Sequence, residues 1–136
     1  MKLALVATAL MITSLTAFAG KAERDYLANE VNPAVQEAQT KLKSSCGCAV
    51  NVTIDESANK TKDDLLGVKH MAEHVSEGAE HYCTDAASKK AVCQLKTLTF
   101  AKAKPAGFTF KGGNGVMKYD GQSTCSWEQV TRELDK

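Results

Sequence analysis

Leu65, Val68, Ala72, Val75, Ala79 and Tyr82 recur at steps of three and four residues, the spacing of one face of an α-helix. Thr61, followed three residues later by Asp64, makes a capping pair at the start of this run. A long amphipathic helix is therefore predicted from the Thr61 cap to Tyr82, ending near Cys83. An earlier run, Leu27, Val31, Ala34 or Val35, Ala38 and Leu42, has the same period and spans residues 21–44. Asn32-Pro33 interrupts it, and Asn is a good N-cap while Pro suits the first helical position. This stretch reads as one kinked helix or as two helices meeting at Asn32.

Between the helical patterns the period changes to two. Val50, Val52 and Ile54 alternate with Asn51 and Thr53, which predicts a half-buried strand over residues 49–55. From Val92 onward the chain turns to Thr, Leu and Phe. Strands are predicted over residues 92–101, 108–110 and 116–119, separated by Pro105-Ala106-Gly107 and by Gly112-Gly113-Asn114-Gly115. A three-stranded antiparallel meander is the simplest joining of these. Ser126 with Gln129 caps a short last helix carrying Trp127, Val130 and Leu134. The fold class is thus α+β, one domain over residues 20–136. Its expected core is Val50, Val52, Ile54, Leu65, Val68, Ala72, Val75, Ala79, Leu95, Phe108 and Phe110, with Met71 on the flank. Whether the long helix lies on its own sheet or against a second copy stays open, because its stripe serves either arrangement.

The N-terminus reads differently. Lys2 precedes an apolar run from Leu3 to Ala17, and Ala17-Phe18-Ala19 places small residues before Gly20. That is the order of a secretory signal peptide over residues 1–19, cleaved after Ala19. The run is shorter than the ~20 residues a membrane span needs, and no second one follows. The expected location is periplasmic or secreted. Five cysteines, Cys46, Cys48, Cys83, Cys93 and Cys125, suit an oxidising compartment. One must be odd, and four can pair in three ways whichever one is left out. Cys83 with Cys93, across a short polar loop, is the expected first bridge, and Cys125 with Cys46 or Cys48 the second. The fold is accordingly expected to be disulfide-reinforced.

Charge and chemistry add three candidate surfaces. Cys46-Gly47-Cys48 places two thiols one residue apart, suited to disulfide exchange or to soft ligation of copper or zinc unless each is consumed in a bridge. The pair follows a helix C-terminus, which works against thiolate formation. His70, His74, Glu77 and His81 step by four, three and four on the long helix, opposite its apolar stripe. His70 and His74 have the spacing of a two-imidazole metal site. The face otherwise reads as solvated helix or a pH-sensitive contact.

The third surface comes from charge asymmetry. From Lys21 to His81 seven basic residues meet eleven acidic ones, a net of −4, and from Tyr82 to Lys136 nine meet five, a net of +4. Between Ala86 and Tyr119 there are lysines and no acid. Lys96, Lys102, Lys104, Lys111 and Lys118 fall on or beside the strands, with Phe100, Phe108, Phe110 and Tyr119 interleaved. Such a sheet suits an anionic or protein partner, or the lysines guard its edges. Lysine without arginine argues against bidentate phosphate recognition, and nucleic acid does not suit an exported protein.

No catalytic constellation stands out. Asn51-Val-Thr53 and Asn59-Lys-Thr61 match the glycosylation pattern, which matters only in a eukaryotic secretory route. The reading is a small exported, non-enzymatic binding or accessory protein, contacting a protein or an anionic envelope component through the lysine-rich sheet. Its alternative is a thiol–disulfide or copper/zinc-handling protein built on Cys46/Cys48 or on the His70/His74 face.

Overall fold

A computed structural model describes residues 20–136; the predicted signal peptide lies outside them. The first helical pattern forms one continuous rod. Helix α1 (Lys21–Tyr26) passes through a π-helical turn (Leu27–Val31) into α2 (Asn32–Cys46). Pro33 explains the turn. Its nitrogen donates no hydrogen bond and its ring crowds the carbonyl four residues back, so the ladder widens by one residue just before it. The rod stops at Gly47, whose φ of 76° and ψ of 21° lie in the left-handed region that glycine tolerates.

Strand β1 (Asn51–Ile54) leads to the long helix α3 (Lys62–Tyr82), which begins at the expected Thr61–Asp64 capping box. Where the sequence reading placed a polar loop, Asp85 and Ser88 form a capping box for a further helix, α4 (Ala86–Val92). Strands β2 (Thr97–Lys102), β3 (Gly107–Lys111) and β4 (Asn114–Tyr119) follow. Helix α5 (Trp127–Leu134) starts at the expected Ser126–Gln129 box.

The α+β class holds, but the meander does not. The sheet order is β1-β2-β4-β3, with β2 parallel to both β1 and β4, and only β3–β4 antiparallel. Burial gives the reason. Met117 and Tyr119 of β4 are buried, whereas Phe108 and Phe110 of β3 are only partly so. The strand with the more buried inner face takes the interior place, and β3 is left at the edge.

Helices α2 and α3 pack most extensively, and α3 also meets the sheet through β2. The expected core residues on α3 are all buried, as are Val50, Val52 and Leu95; Ile54, Phe108 and Phe110 are partly buried. Met71 belongs to the core proper rather than to its flank. Gly78 lies under the Trp127 ring, where a β-carbon would come within 2.1 Å of Cγ.

A buried polar knot ties the sheet to the start of α3. Asn59 is fully buried; its amide donates to the carbonyls of Asp55 (2.7 Å) and Phe100 (3.4 Å). The Tyr119 hydroxyl donates toward Asn59 Oδ1 and the Asp64 carbonyl. The Asn59 amide is thereby committed inside the fold.

Candidate functional site

Strand alternation sorts the sheet into two faces. Val52, Leu98, Phe100, Met117 and Tyr119 point into the core, while Asn51, Thr53, Thr97, Thr99, Thr109, Lys111, Asn114, Val116 and Lys118 have the opposite parity. The outer face is thus a polar lattice. Thr53 and Thr99 are in register with their hydroxyls 3.2 Å apart, and Thr97 donates to Asn114 Oδ1 at 2.7 Å. The ionisable side chains of the strands on this face are Lys111 and Lys118. The acids that follow the strands turn into their own loops. Asp55 accepts from the backbone and hydroxyl of Ser57, and Asp120 from the backbone of Gln122 and Ser123. The backbone bonds to Ser123 and Gln122 hold the Asp120 carboxyl below the usual carboxylate range.

The five lysines singled out from the sequence divide by position. Lys111 and Lys118 flank the β3–β4 hairpin lengthwise, Lys104 stands in the exposed β2–β3 connection, and Lys96 lies against Gly113 in the hairpin turn. Lys102 does otherwise. It shares the inward parity of Leu98 and Phe100, and at the strand end its Nζ pairs with Asp64 Oδ1 at 2.6 Å. Burial pushes the Asp64 carboxyl up, but bonds from Lys102, Thr61 and Lys60 outweigh it and hold the group low. Lys102 is therefore spent on the start of α3; of the other four, Lys96 Nζ lies 3.5 Å from the Cys93 carbonyl, and Lys96, Lys104, Lys111 and Lys118 remain to meet a partner.

The two sheet edges also differ. On β1 the outward Val52 N–H donates to Gln39 Oε1 of α2 at 2.9 Å, so α2 takes up one outward group of that edge. The other edge is β3. Gly112 and Gly113, with φ of 58° and 87°, make a two-residue turn with both residues left-handed, closed by the Lys111–Asn114 pair. Counting back from that bonded pair, Thr109–Val116 bonds across the ladder too, and the main-chain groups of Phe108 and Phe110 point away from it. Among the described residues no side chain or loop backbone bonds to those groups.

On the helical side, His70, Glu73, His74 and Glu77 line a shallow exposed depression on α3. His81 is exposed but lies outside it. Beside it a cleft of about 460 Å³ runs between α2 and α3, lined by Glu30, Glu37, Glu73, Glu77 and Glu80. Lys41–Glu80 (2.9 Å) and Lys69–Glu30 (3.3 Å) stitch the two helices together. The hydrogen bonds in these pairs raise both lysines and lower Glu80. Among the described residues no group of three or more His, Cys, Asp or Glu side chains is arranged to hold a metal ion.

The cysteines pair in another way than expected. Cys46 bonds to Cys83 and Cys48 to Cys93, closing sequence separations of 37 and 45 residues. Helix α4 stands between Cys83 and Cys93, and its rise carries its ends roughly 10 Å apart, too far for one bridge. Cys46 and Cys48 straddle the Gly47 turn, so each reaches a different partner. Cys125 takes no part in a bridge. It is fully buried, and burial pushes its thiol up to about 11, far from nucleophilic.

Sequence reasoning missed the acidic cleft as a place, although the −4 net charge of the first half was its signal. It also missed the open β3 edge, which depends on strand order. No family model, curated protein or solved structure matches this chain.

Proposed function

We propose that this is an exported, non-enzymatic binding protein that takes an acidic macromolecular partner on its lysine-bearing sheet. One observation carries the reading. The open side of the sheet presents Lys111 and Lys118, with Lys96 and Lys104 beside them, and its strands carry no carboxylate; the carboxylates of α2 and α3 line a cleft on the helical side. Such a separated field attracts a polyanion to one side of the molecule. The two disulfides suit an oxidising compartment, and no helix among the described residues is long and apolar enough to cross a membrane. Binding is favoured over thiol exchange because Cys46 and Cys48 are both held in bridges to separate helices.

The test is binding to poly-L-glutamate over a salt series. Affinity is expected to fall as salt rises, because exposed charges are screened within about 10 Å at 0.1 M. Exposed pairs are worth about 0.5 kcal/mol each, so the triple reversal Lys104→Glu/Lys111→Glu/Lys118→Glu weakens binding by about tenfold or more. Equal binding by the wild type and the triple variant would refute the proposal.

A further inference from the structure

The open edge of β3 deepens this reading, on which it rests. We infer that the partner is an extended acidic polypeptide segment that adds to β3 as an antiparallel fifth strand. Three observations converge on the edge.

First, the main-chain groups of Phe108 and Phe110 point outward and are unbonded within the described residues, while at the opposite edge of the same sheet Gln39 of α2 takes the Val52 N–H. Second, Phe108 and Phe110 stack on the inner face of β3 with ring centroids 6.4 Å apart, only partly buried, so an incoming strand can extend the core beside them. Third, charge stands at both ends of the strand. Lys111 closes it at the turn. At its start stands Lys118, the cross-strand partner of Gly107 on β4, with Lys104 three residues before Gly107 in the chain.

This spacing specifies the ligand. Gly107 and Lys111 are separated by roughly 13 Å along the strand. An added strand places alternate side chains on alternate faces. Positions opposite Gly107 and Lys111 favour acids, those opposite Phe108 and Phe110 favour apolar groups, and the position opposite Thr109 is polar. The pattern is acid-apolar-polar-apolar-acid. The same lysines disfavour a second copy, because antiparallel β3–β3 pairing brings Lys111 of each chain beside the Lys104 and Lys118 end of the other.

The probe is an end-blocked peptide, Ser-Glu-Val-Thr-Val-Glu-Ser, added to the intact protein while amide exchange is followed residue by residue. Phe108 and Phe110 are expected to gain at least tenfold protection, with Thr109 and Lys111, already bonded to β4, unchanged. N-methylation of both valines is expected to abolish binding, since their N–H groups meet β3, whereas N-methylation of the central Thr is tolerated. Replacing both Glu with Lys is expected to weaken binding at least tenfold. If the peptide binds without protecting Phe108 and Phe110, or tolerates methylation at both valines, the edge inference falls. If it does not bind while poly-L-glutamate does, the inference falls and the proposed function stands; if neither binds, both fall. Concentration-dependent dimerisation that protects the same two amides without peptide assigns the edge to a second copy and also overturns the inference.

Discussion

Asp64 joins the cap of α3 to the sheet. It closes the capping box of α3, accepts from the backbone of Lys60 and Thr61, and pairs with Lys102 from β2. Its carboxyl is held below the ordinary range, so its stabilisation is present above the unfolded value of about 3.9 and is lost as pH falls through the lower folded value. Asp64→Ala is expected to cost about 1–3 kcal/mol in urea unfolding at pH 7 and less at about pH 3, below the unfolded value, where the wild type is losing the same contribution. An equal cost at both pH values would contradict this. Gly78 shows the opposite kind of constraint, steric rather than polar. Gly78→Ala would improve intrinsic helix propensity, yet the methyl collides with Trp127. Overpacking is expected to dominate, destabilising the protein by about 1–3 kcal/mol in thermal or urea unfolding; a variant as stable as the wild type would show that the ring moves aside. The Thr61–Asp64 box was legible in the sequence because it is local. The clash at Gly78 was not, because it depends on α5 crossing α3.

At the scale of elements the same division holds. The period of Leu65 to Tyr82 located α3, and the alternation of Val50, Val52 and Ile54 located β1. Pro33 marked a break that the structure resolves as a π-helical turn within one rod. Helix α4 is short and its apolar residues are alanines apart from Val92, so it left no periodic signal; only its Asp85–Ser88 box was there to read. Strand order was not legible. Pairing β2 with β4 instead of β3 depends on which inner face is buried more deeply, and Gly112-Gly113 announces the hairpin without saying on which side of β2 it lies. The disulfides followed from that gap, because α4 separates the two cysteines that seemed closest along the chain. The Cys48–Cys93 bridge closes 45 residues. Chain-entropy arguments put its loss at roughly 4 kcal/mol, so Cys48→Ser/Cys93→Ser is expected to unfold at much lower urea than the wild type. An unchanged midpoint would mean that this bridge does not hold α2 to α4 in solution.

For the whole molecule, the net charges of the two halves foreshadowed a dipole, and the fold turns it into geometry. Glutamates of α2 and α3 line a helical cleft braced by Lys41–Glu80 and Lys69–Glu30. Lysines border the uncovered side of the sheet. What the halves could not reveal is that Lys102 is diverted to Asp64, or that Gln39 of α2 bonds to one sheet edge while the β3 edge takes no such bond among the described residues. The most direct test of the binding account is a backbone amide chemical-shift map recorded while poly-L-glutamate is added at low salt. The account predicts shifts along β3 and β4 and around Lys96 and Lys104, with the Glu37–Glu73–Glu77 cleft silent. Shifts centred on the cleft or on the His70–His74 depression, or spread evenly over the surface, would contradict it.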